Sequence, residues 1–571
     1  MFILSNASNS GASFNYPPVN NTGVYIPVPK KIKPQPLPVS GIDFFFAAVV
    51  LVFSVFFVST ALFSGFFKLG FTVSYVLYFI ISTVYSVKKG DVNFSVYGIT
   101  CGVLALSAAG VFTFFTDILI NMILLVLIVF LNSMYLLSLR AANIYSGGSY
   151  LSLIDAIKFV FYIPFRYLPL TARSLFSRKG KNKKALYILL GILISVPIAA
   201  VVTVLLVSSD AAFEGLVTFV FKNIGLTFLK LVLGIAAFPF VFTQLFALRY
   251  DLVKNDKAMV IKDSTKVQKL QPIIGNTILC VVSVIYIIYL FSQTAYFFSA
   301  FSGFLPNGYS VSQYARRGFF EMCAVSVINA GIVYLSMLLL KRTDNKLLNR
   351  FSKALLIFIS LFSVVFISTA LSKMWMYINR YGLTYKRVLT SVFMIILIIT
   401  FVLLILKIIF KKFPFAALLA VFVSAVVIAV GYADISRVCA KYNNYVTENR
   451  IVVNMDGYYA MDLDDSAIPY VVELVETDGE KLRGPIQTWL YDRWFEDYYE
   501  KHNRDEVKSV FAYNYSKSSI TETFKRLEKK YNYKSHYALH GDKPYENGYF
   551  YDYEGYLVEL ENPEDSVEYE D

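Results

Sequence analysis

An all-α polytopic membrane bundle of about eleven transmembrane helices, followed by a small C-terminal α+β, mainly helical, soluble domain, is the fold class this sequence predicts. Two observations predict it. Apolar residues gather into runs long enough to cross the roughly 30 Å hydrocarbon core of a bilayer, which takes about 20 residues of helix. The charge then changes sign where those runs stop. Of the 53 Lys+Arg and 40 Asp+Glu in the 571 residues, residues 1–433 hold 37 and 11, which leaves 16 and 29 for residues 434–571. The first part is therefore +26 and the tail −13. Helices are required because each span must satisfy its own backbone hydrogen bonds without water. The short alternating strands of an outer-membrane barrel are missing from the pattern.

Residues 1–42 are rich in Asn, Ser, Gly and Pro and read as a disordered or polyproline-like lead. They lack the short apolar core and small-residue cleavage site of a signal peptide, so the first membrane helix is expected to serve as its own insertion signal. The membrane domain covers residues 43–433, with spans expected at 44–67, 69–87, 93–115, 118–139, 185–207, 224–248, 272–302, 318–340, 354–373, 388–410 and 415–433. Positive loops stay in the cytoplasm. The longest, 140–184, holds nine basic residues against Asp155 alone, and the loops 249–271 and 341–353 are also basic and fall on the same side by alternation. This places the N-terminus in the cytoplasm and the C-terminus on the outer side of the membrane. One loop dissents, since Lys373 to Arg387 carries four basic residues on the outer side. Within 140–184, an apolar run from Ala156 to Phe165 is interrupted by Pro164 and Pro169 and followed by Lys and Arg. That composition suits a segment lying on the anionic inner leaflet.

Ionisable groups inside a bilayer are costly and mark candidate sites. Glu321 follows Arg317 by four residues at an outer edge, and Asn329 lies two turns deeper on a similar face. With Gln244 and Gln293 they can line an outward polar cleft, or simply join helices by hydrogen bonds. Lys230 interrupts the run bent by Pro239 and is close enough to an edge to snorkel. Asp43, Asp117 and Asp210 sit at helix ends, and mid-span acids are almost absent, which weighs against proton-coupled transport. No phosphate-binding glycine loop or metalloprotease helix occurs. The four cysteines read as buried apolar residues. No catalytic residue, metal or cofactor is assigned, and nucleic-acid binding finds no folded basic and aromatic module.

The tail, 434–571, is expected to start a helix near Asp465, with Asp462 and Asp464 as capping acids rather than a calcium loop. Further helices are expected over Pro485–Lys501 and Ser518–Tyr531, and short strands after Tyr545. His536 and His540 share a face, but Gly541 and Pro544 leave too short a helix for a convincing zinc site.

Three stretches carry a family resemblance: SQYARRGFFEM (312–322), MYINRYGLTYKRV (376–388), and the pattern of Asn444, Arg450, Asp456, Tyr459, Asp465, Ala467 and Pro469. In order, over residues 70–530, they resemble the DUF4153/DUF4173-like bacterial membrane proteins, a grouping of unknown function. The resemblance implies a bacterial polytopic membrane protein and no reaction. The three stretches, together with the polar residues inside the spans, single out Tyr314, Arg316, Arg317, Glu321, Asn329, Arg380, Tyr381, Lys386, Arg387, Arg450 and Asp465 as candidate interaction residues. The two arginine-bearing boxes are expected near the outer membrane surface, contacting the acidic tail, anionic lipid headgroups, or both. The leading functional expectation is a non-enzymatic envelope sensor, regulator or assembly factor with an outward-facing docked domain. A transporter or lipid-handling protein, and then a membrane-embedded transferase using an acid such as Glu321, are the alternatives.

Overall fold

The computed structural model describes residues 36–63, 67–87, 92–115, 117–143, 152–176, 226–255, 270–302, 319–341, 343–410, 412–449, 463–477, 489–495 and 513–531, the strands 549–551 and 557–559, and the isolated positions 202, 206, 209 and 510. Ten helices among these residues are long and apolar enough to cross a membrane. The protein is a mostly helical, multi-pass membrane protein. The eleventh expected span, 185–207, lies almost wholly outside the described residues.

The spanning helices are α1 (Gly41–Phe57, prolonged by a π-helical turn Val58–Leu62), α2 (Leu69–Val87), α3 (Val96–Phe114) and α4 (Ile118–Leu139). After the non-spanning α5 (Ser152–Ile157) and α6 (Ile163–Phe176) come α7 (Leu226–Arg249), α8 (Pro272–Ser302), α9 (Phe319–Leu339), α10 (Lys346–Tyr381), α11 (Tyr385–Ile409) and α12 (Phe415–Ala433). Their ends follow side-chain chemistry as well as hydropathy. Asn345 accepts from the Leu347 and Leu348 amides at 3.0 and 3.3 Å and starts α10 eight residues before the apolar run expected from 354. Gly382, at φ 78°, ends it. The 36 residues of α10 make a rod of about 54 Å, longer than the hydrocarbon core.

Two apolar cores form in the membrane region. The first joins α1 to α4 and α7 around Tyr85, Phe112, Leu124 and Phe246; the second joins α8 to α11 around Ile359, Phe362, Met394 and Phe401. Helix α12 packs on α3 and α4 and also on α11, bridging the two groups. Close approach of backbones decides one crossing, because a Cβ on Gly234 of α7 would lie 2.5 Å from the Cα of Val55 in α1.

Helices α5 and α6 pack along α4 and α7. The two prolines do not break the segment. A π-helical turn, Lys158–Tyr162, adds a residue ahead of Pro164, and Pro169 lies within α6. One face is buried through Ala156, Phe159 and Ile163, while Ile157, Phe161 and Phe165 are exposed.

Beyond α12 the chain turns at Asp434, whose φ of 50° is left-handed, into the amphipathic α13 (Ile435–Glu448). A 3-10 turn, Asp465–Ala467, leads into α14 (Ile468–Thr477), and α15 spans Tyr515–Tyr531. Trp489, Leu490, Tyr491 and Trp494 add a further helical face. The strands β1 (Tyr549–Tyr551) and β2 (Leu557–Glu559) pair antiparallel, with Phe550 opposite Val558. The described tail helices share their core with the membrane domain, since Leu383, Tyr385, Val388, Leu389 and Val430 pack against Cys439, Ala467, Ile468 and Trp494.

Candidate functional site

Among the described residues, charge, burial and separate chain segments meet where the tail rests on the helix ends. Three helix connections contribute. At the α10–α11 hairpin, the Leu383 amide donates to Asn443 Oδ1 and the Asn443 amide donates back to the Leu383 carbonyl, both at 2.8 Å. At the start of α2, the Leu69 amide donates to the Tyr513 carbonyl at 3.0 Å. At the end of α3, Asn514 Nδ2 donates to the Phe112 carbonyl at 3.2 Å. Helix ends leave amides and carbonyls without intrahelical partners, and the tail supplies partners to these. Inside the tail, Asn444 Nδ2 donates to the Tyr470 carbonyl at 2.9 Å, which fixes α14 on α13.

A small pocket lies at this seam, lined by Phe115, Asp117, Asn121, Gly431, Asp434, Ser436 and Asp464 among others, with a volume of about 10 Å³, room for about one water. Asp117 caps α4, its carboxylate accepting from the Ile120 amide at 3.0 Å. Asp434 caps α13 by accepting from the Arg437 amide at 3.2 Å, and it also accepts from the Ser466 hydroxyl at 2.6 Å. The Arg437 guanidinium lies 3.1 Å from Asp434. Burial raises both carboxyls above the usual carboxylate range; hydrogen bonds to each oppose the shift, and the charge of Asp464 adds to it. The Tyr385 hydroxyl faces Asp117. Burial pushes the nearby Cys439 thiol up to about 12, so it stays protonated and inert.

The residues singled out from sequence are distributed around this seam and beyond it. Arg387 donates to the carbonyls of Tyr381 and Gly382 at 3.1 and 2.6 Å and stacks over Tyr377, its guanidinium carbon 4.1 Å from the ring centre. Its guanidinium therefore closes the hairpin that presents Leu383. Tyr381 also meets the ring of Tyr377, at 5.1 Å, while Arg380 and Lys386 are exposed. Asp465 pairs within the tail, 3.5 Å from Arg493. Glu321 is exposed in the first turn of α9. Asn329, fully buried, accepts from Tyr286 and donates to Ser363 at 2.9 Å, joining three helices. Gln244 likewise joins Tyr78, at 3.4 Å, to the Phe159 carbonyl, at 3.2 Å. Lys230 reaches the ring of Phe63, 5.3 Å from its centre. Tyr314, Arg316, Arg317 and Arg450 lie outside the described residues.

A second polar cluster closes the opposite end of the first core. Asp43, completely buried, accepts from the Ser40 amide at 2.8 Å, Tyr85 at 2.9 Å and Tyr250 at 2.7 Å, and lies 3.2 Å from the Arg249 guanidinium. Arg249 also donates to the Tyr85 carbonyl at 2.7 Å. Arg140 pairs with Asp251 at 2.9 Å beside it. Sequence spacing gives no hint of either cluster, because each joins segments far apart in the chain, Asp43 with Arg249 in one and Asp117 with Asp434 in the other; the signals available were Asp at a helix end and the paired Asn443 and Asn444.

Among the described residues, no group of three His, Cys, Asp or Glu is arranged to hold a metal ion. A family model described as Domain of unknown function (DUF4153) matches residues 99–474. No curated protein and no solved structure matches the chain.

Proposed function

The chain belongs to the DUF4153 family, and from that premise and the contacts above we propose that it is a non-enzymatic sensor or regulator of the bacterial envelope, whose acidic C-terminal segment docks on the outward ends of its membrane helices. The observation that carries the reading is the reciprocal Asn443–Leu383 pair, which joins a tail helix to a loop between two spans at 2.8 Å in both directions. Support for a switchable element comes from the nature of the seam: a few directed hydrogen bonds and one shared apolar patch join parts of unlike charge. Support for the orientation comes from alternation. The ends that meet the tail are those of α2, α3, α10 and α12 assigned to the outside, whereas Arg140 and Arg249 lie at the ends assigned to the cytoplasm. Exposed Arg380 and Lys386 suit anionic lipid headgroups beside the docked segment. Transport and transferase chemistry draw less support, since Asn329 and Gln244 are consumed in joining helices and Glu321 is exposed at a helix start.

Protease added to intact spheroplasts tests this reading. The wild-type tail should be cut slowly from the outside, and Asn443→Ala should speed cutting about tenfold or more, the loss of a buried pair of hydrogen bonds amounting to roughly 1–3 kcal/mol. Cutting only in inside-out vesicles would reverse the orientation, and an unchanged rate in the variant would remove docking. The charge reversal Arg317→Glu should loosen the tail in the same assay if the first arginine box contributes.

A further inference from the structure

The seam pocket sets charges of one sign against each other across the two parts that the proposed docking brings together. Asp117 comes from the membrane domain, at the start of α4; Asp434 stands at the junction of α12 and α13; Asp464 comes from the tail. The charged and titratable groups facing them are Arg437 from α13, 3.1 Å from Asp434, and Tyr385 from α11. Cys439 lies behind as a thiol, Arg387 is engaged by two carbonyls, and Asp465 is held by Arg493. Among the described residues, three aspartates thus line a space of about 10 Å³, with the Arg437 guanidinium beside Asp434.

A residue with an orphan acceptor lines the same space. Asn121 is 1% exposed and lines the pocket; its amide donates to the Phe115 carbonyl at 3.1 Å, and its Oδ1 has no hydrogen-bond partner among the described residues. A buried acceptor left so is costly and calls for a donor. Two ionised carboxylates and an amide oxygen supply acceptors alone, whereas a carboxylic acid would add an O–H donor.

We propose that the pocket formed by Asp117, Asn121, Asp434 and Asp464 is a proton-binding latch: proton uptake there holds the C-terminal segment on the helix ends, and proton loss loosens it. The latch rests on the docking reading above. Its sign follows from burial. Asp117 and Asp434 are raised from 3.8 in the docked state, and release into water returns them towards that value. The docked state therefore binds more protons than the released one, so this contribution to docking is complete below 3.8 and is lost as pH rises through the raised values. Acid closes the seam and base opens it.

Hydrogen exchange on the full chain in lipid nanodiscs reads this directly at the amides of Leu69 and Leu383, which bond to the tail. After correction for the chemical exchange rate, wild-type protection at both amides should fall as pH rises, by up to about tenfold per pH unit for each proton released. The pair Asp117→Asn with Asp434→Asn should make protection independent of pH. Asp464→Asn, which keeps both proton acceptors and removes the charge repelling them, should move the transition to lower pH, and it decides the matter if the paired variant does not fold. Protection that does not change with pH in the wild-type protein, or an unaltered transition in Asp464→Asn, overturns the latch and leaves docking intact. Absence of protection at both amides at every pH overturns docking itself. Protection restored at high pH by calcium chloride would make the occupant a metal cation and overturn the proton assignment.

Discussion

Asn443 illustrates how one side chain here replaces a secondary-structure bond. Its amide offers a donor and an acceptor in the spacing of a peptide group, and Leu383, between two helices, has both backbone groups available. Asp43 has the opposite character: its carboxylate is buried among Tyr85, Tyr250 and Arg249 and accepts from each hydroxyl. Removing one partner from a buried ion pair leaves the other charge uncompensated, which costs about 3–5 kcal/mol. We expect Asp43→Asn to destabilise the first core by that order, read as a lower unfolding temperature in detergent, with Arg140 and Asp251 unable to substitute. Neither role could be read from the sequence. Asp43 was legible as a helix-start acid, but Arg249 is more than two hundred residues away, and chain proximity carries no information about that pairing. Asn329 shows the converse. It was legible as a polar residue in a span, and the structure gives it Tyr286 and Ser363, the joining of helices rather than a lining for substrate.

Whole helices show which signals fix length and which fix crossing. Hydropathy marks where α10 is apolar, but Asn345 and Gly382 set where it begins and ends, because backbone groups at a helix terminus need partners whatever the polarity of the neighbouring side chains. Gly382 combines φ 78° with ψ −177°, a conformation nearly closed to residues with a Cβ. Gly382→Ala should therefore cost about 1–3 kcal/mol and loosen the Arg387-closed hairpin, which would appear as faster exchange at the Leu383 amide. Gly234 acts between elements. A Cβ there would meet the backbone of α1 at 2.5 Å, and backbone cannot rotate aside as a side chain can. Gly234→Ala should separate α1 from α7 and lower thermal stability by about 1–3 kcal/mol, with little effect on the second core. The prolines of the 152–176 segment were legible as interruptions, yet the helix continues through a π-helical turn, a local accommodation that residue type alone does not announce.

At the scale of the whole molecule, two membrane cores, a bridging helix and a tail make one connected body of packing. The tail core includes Tyr385, Val388 and Leu389 from α11 and Val430 from α12, so residues 435–571 expressed alone should lack part of their apolar wall. We expect that fragment to bind an apolar dye and to melt without a sharp transition, whereas the full chain in nanodiscs should show protected tail amides; a cooperative melt of the fragment would mark an independent domain. Residue order alone made legible the class of the protein, a multi-pass helical membrane protein, the position of each described span to within several residues, and its membership of a family of unknown function. These depend on local quantities, hydropathy over about 20 residues and the chemistry of short motifs, which the bilayer converts directly into helices. Which helix ends face one another and which buried groups share a space are settled by packing between distant parts of the chain. Asp117, Asp434 and Asp464 became neighbours through packing, and burial, together with the charge of Asp464, raises the Asp117 and Asp434 carboxyls against the hydrogen bonds that oppose the shift.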